Sequence, residues 1–111
     1  DVTGVQTCAL PISEVALEDA CEAAKAAAIN SLAVIKQQIG SLDKVKRIVK
    51  VVGYVASEPS FGEQAKVVNG TSDFLVEVFG KKGSHARSAV GVASLPLNVP
   101  VEVEMIVEIE E

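Results

Sequence analysis

The sequence has no tryptophan, one tyrosine and three phenylalanines, so aromatics make up only 4% of its 111 residues. Base stacking needs aromatic faces, and a surface that tracks phosphates needs an excess of Lys and Arg. Here Asp and Glu outnumber Lys and Arg by 15 to 10, giving a net charge of -5. Such a composition argues against nucleic acid as a partner. Long apolar runs are also missing. None approaches the roughly 18 residues of a membrane-spanning helix, so no membrane partner is expected. Cysteine occurs only at positions 8 and 21, without the spacing of a zinc site or a disulfide framework. Both read as reduced thiols of a cytoplasmic protein, with Cys21 a small packing residue in a helix. No cofactor motif is found, and no cofactor or metal is expected. The stretch "GKKGS" at 80–84 lacks the Walker spacing and reads as a turn.

What is abundant is aliphatic. Hydrophobic residues make up 49% of the chain, nearly all Ala, Val, Ile and Leu, which suits helices on a sheet better than an aromatic-rich β sandwich. The length is that of one domain. Its first stretch, "DVTGVQTCALPIS", shows no clear period and lacks the basic start and cleavage site of a signal peptide. As a strand it is interrupted by Gly4 and Pro11. Residues 2 to 12, "VTGVQTCALPI", correspond to the translation of a common sequencing-library adapter. Residues 1–13 are therefore expected to be a non-native lead-in, and 14–111 a partial domain.

From Ala16 to Ile39 the pattern is helical, with Leu17, Ala20, Ala24, Ala28, Leu32 and Ile35 on one stripe and Gly40 as the stop. The alanines permit close approach to a flat partner such as a sheet. A nearly continuous apolar run from Arg47 to Ala56 predicts a strand covered on both faces. A second helix is predicted over Lys66–Phe79, its first turn made irregular by Gly70. Two strands follow, in "ARSAVGVASL" and "VPVEVEMIVEIE". The last alternates Val101, Val103, Met105 and Val107 with Glu102 and Glu104. The order helix, strand, helix, strand, strand gives an α+β layer with both helices on one side of a mixed sheet. Three strands are few for two helices, which suggests strands missing or supplied by a partner.

Strand parity groups Arg87 with Ala89 and Gly91, opposite Val90 and Val92. With the valines turned to the helices, Arg87 would share the helix-free face with Glu102 and Glu104. An arginine fork can clamp a substrate carboxylate and a nearby glutamate can orient and deprotonate water. The same parity also fits a structural Arg–Glu pair. His85, the only histidine, sits in a turn and reads as a solvated loop residue. The alternating glutamates of the last strand read as a solvated face.

"HARSAVGVASLPLNVPVEVEMIVEIE" resembles the C-terminal signature of the RidA/YjgF family, with Arg-Ser, a valine-rich strand, Leu-Pro and an alternating Val-Glu strand. "LDKVKRIVKVVGYVAS" and "KVVNGTSDFLVEVFG" are similar to that family's middle strand and second helix. The nearest likeness is to the RidA-like branch carrying the endoribonuclease L-PSP label. The resemblance implies a chorismate-mutase-like fold, assembled as a homotrimer with sites between subunits, and lacking here its N-terminal strands. It implies hydrolysis of reactive enamines or imines, such as 2-aminoacrylate, to 2-oxo acids and ammonia. By motif, Arg87 matches the carboxylate-binding arginine, Glu102 the glutamate assigned to catalytic water, and Asn69 a substrate-binding asparagine near the cleft. Many members carry Cys two residues after the arginine, where this chain has Ala89. The family's cleft Tyr and Ser-Gly segment have no counterpart. A non-catalytic trimer binding small carboxylates is the alternative, and an endoribonuclease the third reading, opposed by charge and scarce aromatics. Without its N-terminal strands the chain would leave a sheet edge open and is expected to aggregate or assemble only in part.

Overall fold

Helix α1 spans Leu17–Ile39 and buries Ala20, Ala23, Ala24, Ala28 and Leu32 on one stripe. Glu18 and Asp19 in its first turn and Lys36 in its last oppose the helix dipole at both ends. Gly40 stops it in the left-handed region at φ 90°, its N–H donating to the Lys36 carbonyl at 2.8 Å. The computed structural model describes residues 17–111. The proposed lead-in at 1–13, Cys8 and the domain start at residue 14 lie outside the described residues.

Strand β1 (Val45–Ala56) begins two residues before Arg47, where the sequence pattern places its start. Helix α2 spans Gln64–Phe79, strand β2 Ala86–Val92 and strand β3 Val101–Ile109. The sheet order is β2-β1-β3, with β1 parallel to β2 and antiparallel to β3. The most buried strand is thus the central one. Ile48, Val51 and Val55 of β1 are fully buried, with Val67, Val68 and Leu75 of α2 among the core that covers them. Helix α2 contacts β1 and β2, while α1 contacts β3.

Helix α2 is continuous through Gly70, contrary to the irregular first turn its propensity predicts. The glycine is there for space: a Cβ at position 70 would land on the backbone carbonyl of Cys21 in α1. One residue on, the fully buried Thr71 donates its hydroxyl to the Ala24 carbonyl at 2.5 Å. The alanines of α1 therefore serve a close helix–helix seam as well as contact with the sheet. Cys21 packs at the same seam, its thiol donating to the Lys66 carbonyl at 3.2 Å. Burial, then the neighbouring Glu22, pushes that thiol up from its ordinary pKa, so little of it is reactive thiolate.

Strand β2 reverses one expectation. The parity grouping holds, but the group containing Arg87 faces the helices, and Val90 is left 42% exposed. The cause is steric. A side chain at Gly91 would meet the Gln64 amide and the Ser57 hydroxyl at 2.7 and 2.8 Å, so only small residues let the start of α2 settle on this strand. Between β2 and β3, Leu97 and Asn98 take positive φ angles of 61° and 56°, leaving Leu97 exposed in the connecting turn.

Candidate functional site

Asn69 and Ser72 lie three residues apart on α2, so both project from one side of the helix. That side looks toward the start of β2, which the turn Gly80–Gly83 brings alongside. Arg87 reaches across the gap. Its Nη1 donates to Asn69 Oδ1 at 2.7 Å and to Ser72 Oγ at 3.2 Å. His85, two residues earlier, closes the group: its Nε2 lies 2.8 Å from Ser72 Oγ and its Nδ1 lies 2.5 Å from the Gly83 carbonyl oxygen. These four side chains, with Val76 and Ser84, line a shallow cleft of about 330 Å³.

The hydrogen-bond directions follow from the partners. A carbonyl oxygen can only accept, so His85 Nδ1 carries the proton that meets Gly83. In the neutral ring Nε2 is then an acceptor, and Ser72 donates to it while accepting from Arg87. Both of these Arg87 hydrogen bonds use Nη1. Among the described residues its Nε and Nη2 edge meets no hydrogen-bond partner, and the side chain stands exposed at the cleft mouth. A guanidinium fixed on one side and open on the other is suited to a planar, two-oxygen anion.

Glu102 is not part of this group. It pairs with Tyr54 in register, on the face of the sheet away from the helices, whereas Arg87 pairs with Val51 on the covered face. Strand β1 separates their two strands. The shared helix-free face expected from sequence is therefore corrected: within one chain Arg87 and Glu102 stand on opposite faces. The reason is the inverted facing of β2, set by Ala89 and Gly91 under α2. On the open face, the Tyr54 hydroxyl donates to Glu104 Oε1 at 2.9 Å, and this bond to the carboxylate raises the tyrosine pKa. Farther along, Arg47 Nε pairs with Glu108 Oε1 at 2.8 Å and lowers the glutamate pKa.

Of the three residues singled out by motif, Asn69 and Arg87 are brought together and Glu102 is not. Ser72 and His85 are the residues the sequence reading missed as members of the site. The signal was available in the three-residue step from Asn69 to Ser72 and the two-residue step from His85 to Arg87. Among the described residues no group of three or more His, Cys, Asp or Glu side chains is arranged to hold a metal ion. No described helix is long and apolar enough to cross a membrane.

Fold and cleft together define an α+β domain with two helices over a mixed sheet and an arginine cluster at the rim. A family described as "YjgF/chorismate_mutase-like, putative endoribonuclease" matches residues 10–109. The chain belongs to this family. Protein TCP17 of Trypanosoma cruzi is 46% identical over 110 residues, an overlap covering 98% of this chain and 68% of that protein. The crystal structure of Atu1372 from Agrobacterium tumefaciens, a protein described as having unknown function, matches with a TM-score of 0.90 and 43% identity, over 95% of this chain and 68% of that one. A Shewanella oneidensis MR-1 structure, described as "a putative endoribonuclease", gives a TM-score of 0.81 at 31% identity, over 84% of this chain and 62% of that one.

Proposed function

We propose that the protein hydrolyses small enamines or imines bearing a carboxylate, such as 2-aminoacrylate, to 2-oxo acids and ammonia. The observation that carries this reading is the anchored arginine. Asn69 and Ser72 hold Nη1 of Arg87, leaving the Nε and Nη2 edge to clamp a carboxylate through two charge-assisted hydrogen bonds. Asn69 serves as a substrate-binding residue by fixing that clamp. Once the substrate is an imine, water adds to its carbon and ammonia leaves. Glu102 is the candidate base for that water, and its position on the opposite face requires a neighbouring subunit's Glu102 to approach the cleft. The homotrimer with intersubunit sites implied by the resemblance supplies that arrangement.

The test generates 2-aminoacrylate in the presence of the purified protein and follows ammonia. Accelerated release that is lost in Arg87→Ala supports the reading, and unchanged rates in that variant remove Arg87 from the mechanism. A second reading rests on the separation of Glu102 from the cleft: an arginine cluster without its base makes a carboxylate-binding regulatory trimer. Saturable binding of a 2-oxo acid without turnover of any imine would favour it. The endoribonuclease description belongs to the family and to the Shewanella protein. RNA cleavage abolished in Arg87→Ala would carry it over to this chain, against the net charge of -5.

A further inference from the structure

We infer that Ser72 and His85 form a proton relay that delivers a proton to the carbon of an enamine held on Arg87, converting it to the imine before water attacks. The inference rests on the reading above and adds a step to it. Carboxylate clamping does not move a proton, and a Glu102 that serves as base for the water must arrive ionised with no proton to give, so the Arg87 cleft needs a separate donor.

The geometry supplies one. Ser72 Oγ is 3.2 Å from Arg87 Nη1, beside the guanidinium whose open edge would take the substrate carboxylate. Its hydroxyl is the proton-bearing group of the cleft that touches both the arginine and the imidazole. His85 stands behind it at 2.8 Å, half-buried. The bond from Nδ1–H to the Gly83 carbonyl fixes the ring in either charge state, because that proton stays on Nδ1 throughout. Proton exchange is thereby confined to Nε2, the nitrogen that faces Ser72. A solvated loop histidine would have neither nitrogen so committed.

The step balances. In the imidazolium form, Nε2–H donates to Ser72 Oγ, and the Ser72 hydroxyl proton passes to the β-carbon of the enamine. The enamine π pair forms the new C–H bond while the nitrogen lone pair forms C=N, giving an iminium ion and neutral imidazole. Water then adds to the iminium carbon, giving up a proton to the neighbouring subunit's Glu102; Glu102 returns that proton to solvent, and His85 Nε2 regains one from solvent. Collapse of the carbinolamine expels ammonia and leaves the 2-oxo acid. The sum is enamine plus water giving 2-oxo acid plus ammonia, with the relay restored. Ser72 is the catalytic residue of this step, and His85 acts through it as the positioning and proton-supplying partner.

A relay on one side of the cleft delivers its proton to one face of the enamine, whereas bulk water does not choose. The experiment therefore uses an enamine with a methyl group on its β-carbon, generated by a dehydratase in D₂O. The 2-oxo acid is reduced at once to the hydroxy acid, and the configuration of deuterium at C3 is read against a control without the protein. The wild type is expected to accelerate ammonia release and to give one C3 configuration in excess. Ser72→Ala and His85→Gln should lose that excess, with enamine turnover down by at least about tenfold. Ser72→Thr, which keeps a hydroxyl, should retain it, and urea midpoints confirm that each variant is folded. Accelerated ammonia release with a product no more biased than the control would overturn the relay while leaving the proposed hydrolysis standing. So would an excess that survives in Ser72→Ala. Failure of the wild type to accelerate ammonia release removes the hydrolase reading, and the relay with it.

Discussion

Four consecutive residues, Asn69-Gly70-Thr71-Ser72, serve two regions that obey different physics. The inner pair belongs to the seam between α1 and α2, where Gly70 admits the Cys21 carbonyl and Thr71 bonds that of Ala24. The outer pair belongs to the rim, where Asn69 and Ser72 hold Arg87. In the seam, tolerance is set by volume, because two backbones touch with no side chain between them. At the rim nothing is close-packed, and hydrogen-bond direction decides the arrangement. One helix turn can therefore carry the site only because its neighbouring residues hold the helix at a fixed distance from α1. Stability and ligand binding should separate residue by residue along this turn.

The largest effect expected is at the seam. Gly70→Ala gains helix propensity but drives a methyl group into the Cys21 carbonyl, so the two helices must part. We expect a loss of roughly 3 kcal/mol, read as a lower urea midpoint with the slope retained. An unchanged midpoint would show that the seam is loose and the contrast with the rim false. The rim comes next. Arg87→Ala should leave the urea midpoint within about 0.5 kcal/mol, as an exposed residue outside the core. Its affinity for a 2-oxo acid should nevertheless fall about 30-fold, equivalent to about 2 kcal/mol for lost charged hydrogen bonds. Calorimetric titration beside the denaturation curve checks both halves.

Much of the fold could be read in the residues, and the reasons are local. The alanine stripe, Gly40 and the alternation of Val and Glu in β3 each obey a short period that one segment reveals by itself. The motif positions of Asn69 and Arg87 were legible for the same reason, since resemblance works along the chain. The facing of β2 was not. Parity divides a strand into two groups but does not say which group is covered, and valines ordinarily claim the covered side. Here the decision came from α2, whose first residue, Gln64, needs the space left by Gly91. The role of Gly70 was hidden likewise, because the cost of a glycine in a helix is intrinsic while its reward is the carbonyl of another helix.

A smaller effect tests the seam without changing its volume. Thr71→Val keeps the shape of the side chain and removes the hydroxyl that donates to Ala24. The Ala24 carbonyl belongs to α1 and keeps a place in that helix's own ladder, so the loss should be only about 1 kcal/mol. Ligand affinity should not change, since Thr71 points away from Arg87. A fall in affinity equal to that of Arg87→Ala would mean that seam and rim are one coupled network rather than two regions.

The smallest effect concerns the sheet's open face, where an exposed polar link can be measured against the buried one at Thr71. Arg47 pairs with Glu108 at 2.8 Å, and the arginine lowers the glutamate pKa in the folded protein. The folded state then holds this proton less tightly than the unfolded chain does. Its contribution is present above the unfolded value, near pH ~4.3, and is lost as pH falls through the lower folded value. Both side chains are more than a third exposed, so solvent and salt screen the pair and the effect should be slight. Arg47→Met is therefore expected to lower the urea midpoint a little at pH 6, and not at all once the pH has passed below the folded value. Raising the salt concentration at pH 6 should shrink the same difference. A pair contributing as much as the Thr71 hydroxyl, with a difference that added salt does not shrink, would mean that the open face is shielded from water in solution. Sedimentation of the same sample would then show whether a second subunit covers it.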